Sequence, residues 1–317
     1  MTSAAEYAAA REGAALVDLR ERGLLVATGP QRQKFLNGIL SNELLQRPAG
    51  QGCLAALMDV KGHLQALMRA LVTADSVVLE MPAERLAPVE ATLLHYKVAA
   101  PVRFAQPAAA VLGLVGPRAA ELLAGLGADV AALAPEVHLT AALPGGEARV
   151  ARASDLPGGF VLHALSDAVP TLWSALTAAG ALPLGREALD ALRVEHGLPW
   201  YGRDVTEDNL LHETGLVALC HSPSKGCYLG QEVVARLEAR GGNVNRALRG
   251  LRLEAPVADG AELRAGEDVV GRVTTAAVSP RLGPIALAYV HRNHFVPGTR
   301  LDAAGVPATV AALPLAE

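Results

Sequence analysis

Cys227 stands inside the run Lys225-Gly226-Cys227-Tyr228-Leu229-Gly230-Gln231-Glu232, where a thiol has charged and hydrogen-bonding neighbours. The thiolate is the nucleophilic form of cysteine, and positive potential favours it. Lys225 supplies such potential from two residues away, and so does the start of the helix expected just after the motif. That helix is read from Val233, Val234 and Leu237 on one face, with Glu232 near its start, Arg236 and Arg240 toward its end, and Gly241-Gly242 as its stop. Gly226 and Gly230 flank the cysteine, where backbone without a Cβ can turn sharply or lie close to a ligand. Cys227 is therefore the candidate reactive group, with Lys225 as its positive neighbour.

The other chemically capable residues have plainer readings. Cys53 sits in an apolar strand pattern and reads as an inert core thiol. Cys220, His221 and Cys227 match no standard zinc spacing and lack an evident fourth ligand. His291 and His294 follow an apolar strand and read as a solvated hairpin end. The basic stretch Arg236, Arg240, Arg246, Arg249 and Arg252 has two readings, a solvated face supported by pairs such as Glu232 with Arg236, or a dock for a polyanionic tail or acidic partner. Glycine-rich nucleotide loops, H-E-x-x-H and C-x-x-C are absent from the sequence.

The elements that must position these residues follow from pattern. A chain of 317 residues, 51% hydrophobic, has material for about two domains with sizeable cores. Net charge of -4 and a pI near 6.2 argue against a dedicated nucleic-acid binder, which rests on a basic face. Three cysteines make no paired framework, and neither a signal-peptide core, a transit-peptide pattern nor a long apolar span is visible, so a cytoplasmic setting is expected.

Leu24 to Ala27 reads as a strand that Gly29-Pro30 turns into a helix carrying Phe35, Leu36, Ile39 and Leu40. Val111 to Val115, Gly116-Pro117 and Leu122-Leu123 repeat that pattern. Ser76 to Glu80 leads into a helix over 82–94, and Gly159 to His163 into one over 167–179, so a duplicated half is expected. Between the units, Cys53 to Met58 and Leu64 to Val72 read as a hairpin around Asp59-Val60-Lys61-Gly62. A helix through Leu189, Leu192 and Val194 ends at Gly197, and a long loop beginning Pro199-Trp200-Tyr201-Gly202 leads to Cys227. From Asn243 onward the segments 248–253, 269–275, 285–290 and 309–312 alternate between Gly and Pro turns, as in a small antiparallel β-barrel.

Lys225-Gly226-Cys227-Tyr228-x-Gly230-Gln231-Glu232, with Val234-Ala235-Arg236, Arg240-Gly241, Asn245-Arg246 and Leu248, resembles the signature of the YgfZ family. Those are folate-binding proteins of iron-sulfur biogenesis, related to the glycine-cleavage aminomethyltransferase. Gly29-Pro30 with Phe35-Leu36, Asp59-x-Lys61-Gly62, Arg193-x-Glu195 with Gly197, Tyr201-Gly202, Gly271-x-Val273-Thr274 and Ile285 to Val290 extend the resemblance over most of the chain.

The resemblance implies an α+β fold. Residues 1–240 would form an aminomethyltransferase-like folate-binding region of duplicated α/β sandwich units, and 241–317 a C-terminal antiparallel β-barrel, set as a ring around a folate-sized hole. It implies tetrahydrofolate or a derivative as cofactor, with Glu195 holding the pterin N–H groups, a two-point bond suited to a carboxylate. Arg193, Tyr228, Gly226, Gly230, Gln231, Glu232 and Arg236 would stand with it on the folate side, while Cys227 and Lys225 form the working centre. The implied partners are folate and iron-sulfur assembly proteins or client cluster enzymes, tRNA-modifying ones included, with neither direct nucleic-acid binding nor a membrane.

An alternative is a folate-dependent one-carbon transferase or demethylase acting on a small amine. One departure bears on the choice. The aminomethyltransferase carries an acidic pair shortly after the glycine matching Gly62, where this chain has His63-Leu64-Gln65-Ala66-Leu67. Its Gly-Tyr-Thr-Gly-Glu type loop is likewise reduced to Pro157-Gly158-Gly159-Phe160, so ligand contacts from that loop do not carry over.

Overall fold

Gly29 and Gly116 have φ of 109° and 110°, a region disfavoured for L side chains. A Cβ at Gly29 would stand 2.1 Å from the Pro101 carbonyl oxygen, and one at Gly116 2.6 Å from that of Gly13. These are equivalent points of a duplicated unit in the computed structural model, which describes residues 4–315.

The chain opens with α1 (Ala4–Glu12) and β1 (Ala15–Asp18). β2 (Arg22–Thr28) passes through Gly29 into α2 (Arg32–Asn37), and the expected hairpin forms from β3 (Gly52–Met58) and β4 (Leu64–Val72). β5 (Ser76–Pro82), α3 (Leu86–Tyr96) and β6 (Arg103–Ala105) follow. The second unit repeats the plan with β7 (Ala109–Val115), α4 (Ala119–Gly125), β8 (His138–Leu143), β9 (Gly146–Ala153), β10 (Gly159–Leu165) and α5 (Val169–Ala178). β11 (Leu182–Pro183) then leads to α6 (Arg186–His196), which Gly197 ends at φ 65°.

Strand order is β3-β4-β5-β2-β6 in one sheet and β8-β9-β10-β7-β1-β11 in the other. The orders coincide when β3 is read with β8, β4 with β9, β5 with β10 and β2 with β7. The places beside β2 and β7 are filled by exchange: β6, which precedes β7 in the chain, pairs with β2, and β1, which precedes β2, pairs with β7. Inner faces of the two sheets share a core that includes Val17, Leu24, Leu71, Val78, Val111, Val161 and Trp200. Outer faces are covered by their own helices, with Leu36, Val89 and Leu93 on one sheet and Leu122, Leu123, Leu172 and Leu176 on the other. Burial on both faces explains why strands such as β10 are nearly all apolar.

The segment after α6 carries two short helices, α7 (Val217–Cys220) and α8 (Gln231–Glu238). α8 ends before Arg240, and Gly241 and Gly242, both at φ 72°, turn the chain away as expected. Then β12 (Arg246–Leu253), β13 (Glu262–Ala265), β14 (Asp268–Ser279), β15 (Gly283–His291), β16 (Arg300–Ala303) and β17 (Val306–Ala311) close into a barrel in the order β12-β15-β14-β13-β16-β17. β13 and β16, absent from the pattern reading, are four residues each and half polar, and closure of the barrel, which removes free edges, gives them their pairing. Among the described residues no helix is long and apolar enough to cross a membrane.

Candidate functional site

A cavity of ≈ 320 Å³ lies between the two sheets and the segment that follows α6. One end is apolar, with Leu54 of β3, Leu67 of β4, and Leu216, Leu219 and Cys220 at α7. The other is charged, with Glu21, Arg22, Arg69, Glu80, Asp155 and Arg186, and Met68, Met81, Trp200 and Tyr201 form the walls between. The barrel contributes no lining residue among those described, so the expected ring is completed in a different way. Asp204, in the loop after Trp200, accepts hydrogen bonds from Thr274 Oγ1 at 2.7 Å and Thr275 Oγ1 at 2.6 Å on β14, and from the Trp200 amide at 3.0 Å. The barrel therefore reaches the cavity wall through one buried carboxylate.

Arg69 anchors the charged end. Its Nε donates to Glu136 at 2.7 Å, its Nη1 to both oxygens of Glu80 at 2.9 Å, and its Nη2 to Asp155. Arg22 donates to Glu80 and pairs with Asp155, both at 2.8 Å, and His163 Nε2 lies 2.8 Å from Glu80. Two guanidinium groups thus face Glu80 on β5 together with Glu136 and Asp155 in the loops before β8 and after β9. Burial works to raise the Glu80 and Asp155 pKa values, but Arg69 and Arg22 outweigh it and hold both carboxyls below their ordinary range. Asp155 is the one left partly open, its side chain 20% exposed against 1% for Glu80 and 8% for Glu136. The Trp200 indole sits beside it, donating to the Asp155 carbonyl oxygen at 3.2 Å with Arg22 and Arg193 at 4.6 and 4.5 Å from the ring centre.

Glu195 and Arg193, expected at the pterin, do not line this cavity. The Glu195 carboxylate lies 2.7 and 2.9 Å from the Tyr7 hydroxyl and accepts from Ser279 Oγ, with Arg11 at 3.5 Å. It is fully buried and joins α1, α6 and β14. Arg193, also fully buried, spends its guanidinium on Asp190, Asp204 and the Leu198 carbonyl. The groups facing the cavity come instead from Arg22, Arg69, Glu80, Asp155 and Trp200. Their signal in the sequence was a charge inside an apolar strand, as in Leu-Met-Arg-Ala-Leu around Arg69 and Val-Leu-Glu-Met around Glu80.

The motif at 225–232 lies outside the cavity lining. Cys227 is exposed, whereas Cys53 and Cys220 are buried. Lys225 takes backbone partners. Its ammonium donates to the carbonyls of Asn37 at 2.6 Å, Asn42 at 3.2 Å and Leu40, and lies 4.7 Å from the Tyr228 ring centre. Burial pulls its pKa down to about 8. Tyr228 is buried among Met58, Leu64, Tyr201, Leu216 and Cys220. Gln231 Oε1 accepts from the Tyr228 amide at 3.0 Å, and Glu232 pairs with Arg236 at 2.7 Å on the solvated face of α8. Three further members of the basic stretch also find local partners: Arg246 bonds Glu213, Arg249 the Phe295 carbonyl and Arg252 the Leu315 carbonyl.

Gly226 and Gly230 differ. Gly230 has φ 79°, and a Cβ there would stand 2.6 Å from the Asp59 carbonyl oxygen, while nothing lies within 4 Å of one at Gly226. Gly230→Ala should cost at least about 1–2 kcal/mol of unfolding free energy. Gly226→Ala should stay within about 0.5 kcal/mol of wild type, and urea midpoints of the two variants decide the comparison.

Two sheets of one topology with exchanged edge strands, a closed six-stranded barrel and a cavity at their junction define an aminomethyltransferase-like fold. Residues 1–223 match the GCVT N-terminal domain and residues 246–316 the glycine cleavage T-protein C-terminal barrel domain. The chain belongs to this GCVT family.

It is 31% identical over 316 residues to an aminomethyltransferase of Streptomyces coelicolor, covering 93% of this chain and 82% of that one. It is 30% identical over 297 residues to an aminomethyltransferase of Rubrobacter xylanophilus, covering 90% and 78%. The crystal structure of the glycine cleavage system aminomethyltransferase T from Bartonella henselae superposes with a TM-score of 0.89 at 24% identity, covering 99% of this chain and 89% of that one. These relatives carry the name aminomethyltransferase rather than YgfZ, so the broader resemblance is the one they support.

Proposed function

We propose that the chain binds tetrahydrofolate or a derivative in the cavity and acts as a folate-dependent one-carbon transferase or demethylase on a small amine. The observation that carries this reading is Asp155, an ionised and partly open carboxylate beside Trp200 in a cavity otherwise walled by Met68, Met81 and Tyr201. A flat heterocycle bearing N–H donors needs such a pairing, an acceptor at its edge and apolar or aromatic surface on its faces. The family is one of folate users, and the relatives' name points to one-carbon chemistry on an amine.

The reaction would not use the relative's acidic pair. β4 alternates so that Gln65, Leu67 and Arg69 share the face turned to the cavity, where Leu67 and Arg69 line it, and no carboxylate stands at 63–67. The lining carboxylates are Glu21, Glu80, Glu84 and Asp155, of which Glu80 is taken up by Arg69, Arg22 and His163.

Calorimetry with tetrahydrofolate tests the reading, and absence of heat with the wild-type protein would remove it. Asp155→Asn should weaken binding by about tenfold or more, the loss expected for one charge-assisted hydrogen bond.

A second reading has its own observation, the exposure of Cys227. On it the chain supports iron-sulfur cluster assembly or repair, as the resemblance of 225–232 implies, with assembly proteins or client cluster enzymes as partners. Failure of the wild-type chain to rescue cluster-enzyme activity in a deficient strain would discard it, and rescue by Cys227→Ser at wild-type level would remove the thiol from its mechanism. Folate-dependent turnover of an amine by the isolated protein favours the first reading.

A further inference from the structure

Lys225 has three donors, and the carbonyls they meet belong to Asn37, Leu40 and Asn42, the groups left over where α2 ends and its following turn begins. That turn carries Ser41 and Asn42, both buried. Ser41 Oγ donates to the Cys220 carbonyl at 2.5 Å and accepts from the Ala56 amide at 2.8 Å. Asn42 Nδ2 donates to the carbonyls of Leu219 at 3.0 Å and Leu54 at 2.8 Å. Leu54, Leu219 and Cys220 are lining residues of the cavity. The ammonium therefore stands one turn away from the apolar end of the site.

Beyond these bonds α7, with Leu216 just before it, packs Val217 and Cys220 on an apolar cluster with Met58, Leu64 and Tyr228. The Ser222 amide just after it donates to the Ser41 carbonyl at 3.2 Å, so its polar ties again run to the 37–42 turn. α7 is four residues long, too short to be stable by its own hydrogen bonds, and it follows Gly215 at φ 77°, around which there is open space. Its far end is tied by His221, whose Nδ1 lies 3.2 Å from Glu238 of α8.

We propose that Lys225 is a positioning residue for the cavity: by gathering the 37–42 turn it holds α7 in place and so sets the shape of the apolar end that receives the ligand. The inference rests on the cavity being the ligand site proposed above. The cysteine motif then serves the cavity from outside, through its lysine.

The test uses the full chain with Cys227→Ser, so that Cys220 and Cys53 are the thiols left, and follows their labelling by N-ethylmaleimide in separate peptides by mass spectrometry. Burial pushes the Cys220 thiol up, so labelling in this parent is slow. Adding Lys225→Met should raise the Cys220 rate by about tenfold or more through local opening, beyond any rise that its change in global urea stability explains. Asn42→Ala, which cuts the same path on the α7 side, should do likewise if Lys225→Met fails to fold. Tetrahydrofolate affinity should fall by about tenfold in either variant.

A Cys220 rate within twofold of the parent, or one that rises no further than the loss of global urea stability accounts for, would overturn the proposal. A parent that binds no tetrahydrofolate would sink the proposed function instead, while the labelling still decides on Lys225.

Discussion

Arg69→Met will destabilise the protein by about 3–5 kcal/mol at pH 7, the cost of stranding buried charge when one partner is removed. Arg69 is 1% exposed and Glu80 and Glu136 are nearly as buried, so the carboxylates it leaves behind cannot be rehydrated without opening the junction between the sheets. Arg22 would remain against three acids.

The pH dependence gives a sharper check. In the wild type the carboxyls of Glu80 and Asp155 are depressed, so the unfolded chain binds more protons than the folded one at acid pH. Their contribution is present above the ordinary carboxylate range of roughly 4 to 4.5 and is lost as pH falls through the depressed folded values. In the variant, burial acts without Arg69 to oppose it, the carboxyls rise, and protonation relieves the repulsion. The gap between wild type and Arg69→Met should therefore narrow from pH 7 to pH 5. Urea midpoints at the two pH values measure it, and a gap that stays constant would contradict the charge account.

Asp204→Ala should cost a similar amount, about 3–5 kcal/mol, for a related reason. Asp204 and Arg193 have fully buried side chains paired at 2.9 Å, and the same carboxylate takes the Trp200 amide and the hydroxyls of Thr274 and Thr275. Removing it leaves a guanidinium, an amide and two hydroxyls to find other partners. Because Trp200 lies on the cavity wall and β14 on the barrel, the variant should also loosen the seat of the indole. Trp200 emission in a Trp173→Phe background should shift to the red. Pairing the change with Arg193→Met should recover about 1–3 kcal/mol relative to the sum of the two single variants, since the charges are coupled. Strict additivity in urea unfolding would show that the pair carries no shared energy.

The repeat was visible because its turns demand it. Gly29 and Gly116 both need a positive φ at a strand-to-helix turn, and the apolar runs before and after them share their spacing. The exchange of β1 and β6 between the sheets was not visible, because pairing across the chain leaves no mark on the periodicity of a four-residue or three-residue strand. The same limit hid β13 and β16.

The candidate site divides in a comparable way. The run at 225–232 stands out as residue types, and its local backbone, from Gly230 at a positive φ to the α8 stop at Gly241, follows from those types alone. Which partner each charged side chain takes does not. The Lys225 ammonium takes carbonyls that folding leaves unpaired, and the Glu195 carboxylate the hydroxyls of Tyr7 and Ser279 that only the docking of α1 and β14 brings near.

Glycine turns, strand periodicity and the alternation of the barrel segments are short-range properties, and the amino-acid order by itself determined them. Tertiary structure decided the cavity, because its charged end is assembled from Arg22, Arg69 and Glu80 on one sheet and Asp155 in the turn between β9 and β10 of the other. Their charges are tolerated inside only once the sheets close and each guanidinium finds its carboxylates.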